Sequence, residues 1–107
     1  MDRDADADHQ GSFEGLDFVW YPPKAASNLK KHKVSFEEAM TAFGDESHIV
    51  FPDREHSYDE ERYLAVGNSN QGRLLVLCFT ERAPKLRLIS ARPAESWERR
   101  EYEIANE

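Results

Sequence analysis

Arg62-Tyr63-Leu64-Ala65-Val66-Gly67, Arg73-Leu74-Leu75-Val76-Leu77-Cys78-Phe79-Thr80 and Lys85-Leu86-Arg87-Leu88-Ile89-Ser90-Ala91 are separated only by Asn68-Ser69-Asn70-Gln71-Gly72 and Glu81-Arg82-Ala83-Pro84. Each run is rich in aliphatic, β-branched and aromatic residues, and each break is a cluster of turn formers. Three strands joined by short turns make an antiparallel meander. The middle run is apolar at every position from Leu74 to Phe79. It reads as the central strand, because successive apolar residues point to opposite faces and both must be covered. His48–Phe51 adds a short strand upstream, beyond the polar loop Pro52–Asp59.

Before these strands the apolar period is that of a helix. Ser35 and Glu38 form a capping box: the hydroxyl can accept from the amide of residue 38, and the carboxylate can reach back to the amide of residue 35. Phe36, Ala39, Met40 and Phe43 follow at i, i+3, i+4 and i+7, and Gly44 is a stop. Further upstream, Phe18-Val19-Trp20-Tyr21 is a short β-prone run ended by Pro22-Pro23, and proline favours a first helical turn. A helix over 22–33 has Ala25 and Leu29 as its apolar edge. Lys24, Asn28 and Lys31 stand on a neighbouring polar stripe, with His32 between the two. At the other end, Pro93 opens a helix to about Ala105, with Ala94, Trp97 and Ile104 toward the core. The order β-α-α-β-β-β-β-α, its first strand short, predicts an α+β domain. Two N-terminal helices and one C-terminal helix would pack on one face of an antiparallel sheet of about four strands. The other face would be free for a partner or substrate.

At 107 residues, 39% apolar and 33% charged, the composition fits one small folded domain, expected over residues 17–107. Residues 1–16 alternate Asp and Ala before Gln10-Gly11-Ser12, and read as a disordered acidic leader. The longest apolar run, Leu74–Phe79, is far short of the roughly 20 residues of a membrane span. Met1-Asp2-Arg3-Asp4 has no apolar stretch behind it to form a secretory signal. A lone Cys78 excludes an intramolecular disulfide and a multi-cysteine zinc site. These features predict a cytoplasmic protein without a membrane anchor.

The net charge of −7 argues against nucleic acid until its distribution is read. Asp2, Asp4, Asp6, Asp8, Glu14 and Asp17 crowd the first residues against Arg3 alone. Lys24, Lys30, Lys31 and Lys33 then stand in a segment with no acid, and Arg73, Arg82, Lys85, Arg87 and Arg92 face only Glu81. Local basic patches, not the total, set the field at a binding surface.

No glycine-rich phosphate loop and no paired cysteine motif is present, and the histidines at 9, 32, 48 and 56 have no helical i, i+4 spacing. No metal and no cofactor is therefore expected. Cys78, in the apolar strand, reads as a core residue rather than a nucleophile. Arg82, Arg87 and Arg92 lie in or beside the last strands, Glu60 and Arg62 two residues apart before them, and Lys24, Lys31 and His32 on the first helix. The planar guanidinium makes paired hydrogen bonds to phosphate and stays charged. Such a set could cut RNA without metal: a carboxylate takes the ribose 2′-OH proton, arginines hold the pentavalent phosphate, and an acid protonates the leaving 5′-oxygen. The same cations could equally be solvated or paired with neighbouring acids, serving a non-catalytic module that binds an acidic partner.

Phe18-x-Trp20, Lys24-x-x-x-Asn28-x-x-Lys31-His32 and Val34-Ser35-Phe36-Glu37-Glu38-Ala39 resemble the start of the BrnT toxin family. The likeness continues through Phe43-x-Asp45, Asp53-x-x-His56-Ser57, Glu60-Glu61-Arg62-x-x-x-x-Gly67, Arg87-x-Ile89-Ser90-Ala91-Arg92-x-Ala94 and Glu98-Arg99-x-x-Tyr102. Tyr21 stands where the family usually has Asp, and Lys33 where it usually has Gly. The resemblance implies a RelE-like fold and the toxin of a type II toxin–antitoxin system, an endoribonuclease that needs no metal and arrests growth. It implies a cognate antitoxin, BrnA, through which alone the complex meets operator DNA, and a 2:2 assembly. It carries over His32, Glu60, Arg62, Arg82, Arg87 and Arg92 as catalytic candidates: Glu60 or His32 for proton transfer, the arginines for phosphate. Lys24 and Lys31 would position the RNA backbone.

Overall fold

The structure is a computed structural model, and it describes residues 7–107. Six strands form one sheet in the order β1-β2-β6-β5-β4-β3. They are β1 (His9–Phe13), β2 (Leu16–Trp20), β3 (Ile49–Pro52), β4 (Tyr63–Asn68), β5 (Leu74–Arg82) and β6 (Lys85–Pro93). The helices are α1 (Pro22–His32), α2 (Phe36–Met40), which tightens into a 3-10 turn over Thr41–Gly44, and α3 (Ser96–Ala105). The meander β4-β5-β6 lies where its sequence puts it, and β5 is central as expected.

Two features of the expected sheet are corrected. It has six strands, not about four, and it is mixed, because β2 runs parallel to β6. The short first strand of the expected order, β2, joins the sheet beside β6, and β1 adds a strand formed by residues placed in the disordered leader. It pairs antiparallel with β2, from His9↔Trp20 to Phe13↔Leu16. Glu14 and Gly15, at φ 48° and 84°, close that hairpin in the left-handed region a tight two-residue turn requires. Residues 1–6 of the expected leader lie outside the described residues.

The helices do not share one face. Phe36, Ala39 and Ala42 pack with Ala65, Leu75, Leu77, Phe79, Leu88 and Ala91 on one side of the sheet. Gly67 belongs to that side too: a Cβ there would come within 2.7 Å of the Ala42 carbonyl oxygen. The alternate residues Leu64, Val66, Leu74 and Val76 face the other way, where Tyr102 of α3 packs with them. The second face is therefore partly roofed by α3. Its inward residues are Glu98, fully buried, and Tyr102, whereas Trp97 and Ile104, expected inward, are half-exposed.

Buried polar groups tie the layers together. Ser35 caps α2, its hydroxyl accepting from the Glu38 amide at 3.0 Å. Glu38 is drawn instead to the β4–β5 turn, where it accepts from Arg73 and, at 2.7 Å, from the Ser69 hydroxyl. Hydrogen bonding from Arg73 holds its carboxyl below the usual range against the opposing effect of burial. The Asp45 carboxylate accepts from the Tyr102 hydroxyl and the Asn68 amide, fastening α3 to the end of β4.

Helix α1 ends at Lys33, whose φ of 60° and ψ of 30° are left-handed. Its amide closes the helix onto the Leu29 carbonyl at 2.9 Å. An L-residue is strained there, and glycine is not. Lys33→Gly is expected to raise the unfolding free energy by about 0.5–1 kcal/mol, the released strain exceeding the added chain entropy. A urea titration in which Lys33→Gly lowers the midpoint would contradict that balance.

Candidate functional site

Leu64 lies opposite Cys78, Cys78 opposite Ser90, and Val76 opposite Arg92, so these side chains share the face that α3 partly covers. Leu64, Cys78, Ser90 and Arg92 line a hollow of about 510 Å³. Lys24 reaches its edge from α1, Trp97 and Glu98 from α3, and Asp53, Arg54, Glu55 and His56 from the β3–β4 loop. Arg62 enters from just before β4. Four full cations therefore meet three carboxylates and one histidine in the hollow.

The loop is held in shape by its own polar groups. The Asp53 amide donates to the Arg62 carbonyl at 2.8 Å, and the Ser57 hydroxyl to the Asp53 carbonyl at 2.7 Å. The Arg62 amide donates back to the Ser57 hydroxyl at 3.0 Å. This fixes the buried Asp53 carboxylate, which accepts from His56 Nδ1 at 3.1 Å through Oδ1 and 3.0 Å through Oδ2. A carboxylate can only accept, so Nδ1 carries a proton and Nε2 is the ring nitrogen left to exchange one. The His56 side chain is 58% exposed, while Asp53 behind it is not. A solvent-facing imidazole braced by a buried carboxylate can take and return a proton.

Cys78 lines the same hollow. Burial, reinforced by the Asp53 charge, pushes its thiol up to about 11, and Sγ donates to Asp53 Oδ2 at 3.7 Å. It stays a thiol, so it is not a nucleophile.

The arginines differ in their partners. Arg92 grips the buried Glu98 with both terminal nitrogens, at 2.7 and 2.6 Å, which fixes the guanidinium in the wall of the hollow. Glu98 also accepts from the Glu95 amide at 2.8 Å, so the cap of α3 and the pose of Arg92 are one construction. Arg62 is the sequence-derived arginine with no carboxylate in ion-pair reach among the described residues, and its Nε is buried without a hydrogen-bond partner. A buried donor left unmade is unfavourable by about 1–3 kcal/mol, so no protein acceptor among the described residues compensates this guanidinium through Nε.

The eight sequence candidates do not form one constellation. Lys24, Arg62 and Arg92 meet in the hollow. Lys31 and His32 line an adjoining depression that shares Lys24, Ile89 and Ser90 with it. Glu60 and Arg82 pair with each other in a separate depression beside Thr80. Arg87 is gripped by Asp8 at 2.8 and 3.2 Å, and its hydrogen bonds hold the Asp8 carboxyl below the ordinary range. His56, Asp53 and Arg54 were absent from the sequence-derived set. Their only signal is the Asp53-x-x-His56 spacing in a polar loop, the kind of segment on which functional groups concentrate.

A family model described as "Ribonuclease toxin, BrnT, of type II toxin-antitoxin system" matches residues 20–98. The crystal structure of the Brucella abortus ribonuclease toxin BrnT is similar, with 26% identity and a TM-score of 0.56, over 72% of this chain and 94% of that one. No curated protein was found to match.

Proposed function

Because the chain belongs to the BrnT family of toxins of type II toxin–antitoxin systems, we propose that it is an endoribonuclease whose chemistry sits in the hollow of Asp53, His56, Arg62 and Arg92. The observation that carries this is the pairing of opposites in one concavity: a proton acceptor braced by Asp53, and the Arg62 guanidinium, which no carboxylate among the described residues neutralises.

The reaction needs no metal. His56 Nε2 takes the proton of a ribose 2′-OH, and the 2′-oxygen forms a bond to the adjacent phosphorus. Arg62 and Arg92 stabilise the negative charge gathering on the pentavalent phosphate. The bond from phosphorus to the 5′-oxygen breaks, and the Lys24 ammonium protonates that oxygen. The products are a 2′,3′-cyclic phosphate and a 5′-hydroxyl. Lys31 and His32, in the adjoining depression, track the flanking backbone. Glu60, Arg82 and Arg87 contribute field rather than chemistry.

Membership of a type II toxin family implies an antitoxin partner. In the proposed arrangement a BrnA-like antitoxin covers the hollow in a 2:2 complex, alone contacts operator DNA, and leaves the free toxin to cut RNA, inhibit translation and slow growth in the cytoplasm. No helix of the described residues is long and apolar enough to cross a membrane.

Purified chain should cleave single-stranded RNA in EDTA and leave a 2′,3′-cyclic phosphate. Arg62→Ala should slow cleavage by about 10²–10³-fold, the loss typical of one preorganised charge-stabilising donor. Arg82→Ala and Arg87→Ala should stay within a few-fold of wild type. RNA left intact with and without ribosomes would overturn the nuclease assignment in favour of a non-catalytic binding module.

A further inference from the structure

Trp97 is 51% exposed on α3. It lines the hollow that holds Arg62 and Arg92, and also a second depression whose walls include Arg99, Arg100 and Glu103. The indole is thus the partition between two concavities, each with arginine in its wall. Phe51 supports it from beneath, with ring centroids 6.4 Å apart and planes inclined by 55°. A large aromatic left half in water is a poor contributor to the core, since most of its apolar area stays hydrated. Cations on both sides of an exposed ring match the alternation of a single-stranded nucleic acid, where every phosphate is followed by a base.

We propose that Trp97 is a base-stacking platform for single-stranded RNA, holding the nucleobase next to the phosphate bound in the hollow and passing the following phosphate to Arg99 and Arg100. The inference rests on the nuclease reading for its ligand but assigns a subsite outside the reacting atoms. Stacking is tolerant of sequence, because every base has a π-face. Trp97 therefore sets affinity and strand path rather than base identity. Where Trp97 anchors the strand, Lys24, Lys31 and His32 guide its continuation, since their depression shares Lys24, Ile89 and Ser90 with the hollow.

Binding is measured with a short 2′-O-methylated single-stranded RNA of mixed sequence, which lacks the attacking hydroxyl and stays intact. Inorganic polyphosphate serves as the baseless control. Trp97→Ala should weaken RNA binding by about 5- to 150-fold and leave polyphosphate binding unchanged. Trp97→Leu keeps an apolar contact with Phe51 but has no stacking face, and should lose RNA binding likewise. Trp97→Tyr should retain most of it. RNA, but not polyphosphate, should quench the indole emission of the wild type, and since Trp20 is 2% exposed the signal belongs to Trp97. Equal RNA affinity in Trp97→Ala and wild type would overturn the stacking subsite alone, with cleavage by the wild type still standing. The same would follow if Trp97→Ala impaired only antitoxin binding, which would assign the ring to a protein interface. Parallel losses of RNA and polyphosphate binding would also overturn it. A wild type that binds neither RNA nor polyphosphate would remove the subsite and the nuclease reading together.

Discussion

His56→Ala is expected to lower the rate of RNA cleavage by about 10²–10⁴-fold, the span over which a positioned acid–base group contributes. The protein should melt as before, because the imidazole is 58% exposed and bonds only to Asp53. Asp53→Asn should lose a similar factor by a different route. The amide cannot accept from Nδ1–H on both arms, so the ring is no longer held with Nε2 as the nitrogen left to exchange a proton. The loop itself should survive, since Asp53 anchors it through backbone groups to Arg62 and Ser57. The double variant His56→Ala with Asp53→Asn should be little worse than either alone, as expected of groups acting as a unit. Glu60→Ala is the control. Its carboxylate pairs with Arg82 in a different depression, and the rate should change by no more than a few-fold. Rapid cleavage by His56→Ala combined with loss of activity in Glu60→Ala would move the chemistry to the Glu60–Arg82 side of the sheet.

The meander was readable because its apolar periods and turn residues are local properties. Strand β1 was not. Its one large apolar residue is Phe13, and what covers the rest belongs to its partner: His9 packs on Trp20 at 5.0 Å, and Gly11 lies under the same indole. Periodicity within a segment cannot report a face supplied by another strand. The inner face of α3 was misjudged for a related reason. A helical stripe of Trp97 and Ile104 outweighs a lone acid, yet Glu98 is the residue buried, because Arg92 neutralises it at hydrogen-bond distance. The same pair decides the site. Lys24, Arg62 and Arg92 could be picked by charge, but which arginines share a hollow depends on strand register and on which acids claim them. Asp8 reaches Arg87 from 79 positions away, a contact no local rule anticipates. His56 escaped because its role exists only once the loop bends Asp53 behind it.

Asn28→Ala is expected to be the most destabilising of the substitutions considered. Strand β2 pairs with β6 only at Phe18↔Leu86 and Val19↔Arg87, after which the chain turns away into α1. The edge of β6 beyond that point would be bare, and Asn28 takes the place of the missing strand. Its Oδ1 accepts from the Ala91 amide at 3.0 Å, and its Nδ2 donates to the Ala91 carbonyl at 2.8 Å and the Val34 carbonyl at 2.9 Å. The side chain is 7% exposed although the sequence put it on a polar stripe with Lys24 and Lys31. Alanine would strand three backbone groups, each unfavourable by about 1–3 kcal/mol if left dry. Partial entry of water at the edge reduces the sum, so a loss of about 3 kcal/mol is expected. Against a total of about 5–15 kcal/mol for a domain of this size, that is a large fraction, equivalent to roughly 10–20 °C in the melting midpoint. Asn28→Asp should do at least as badly at neutral pH, because a carboxylate would face the Ala91 and Val34 carbonyl oxygens with no proton to donate. The damage should also reach the site. Ser90 and Arg92 flank Ala91, and Lys24 comes from the same helix, so cleavage should fall even where the variant remains folded. A melting midpoint within a few degrees of wild type would mean that the β6 edge is held by something other than this amide.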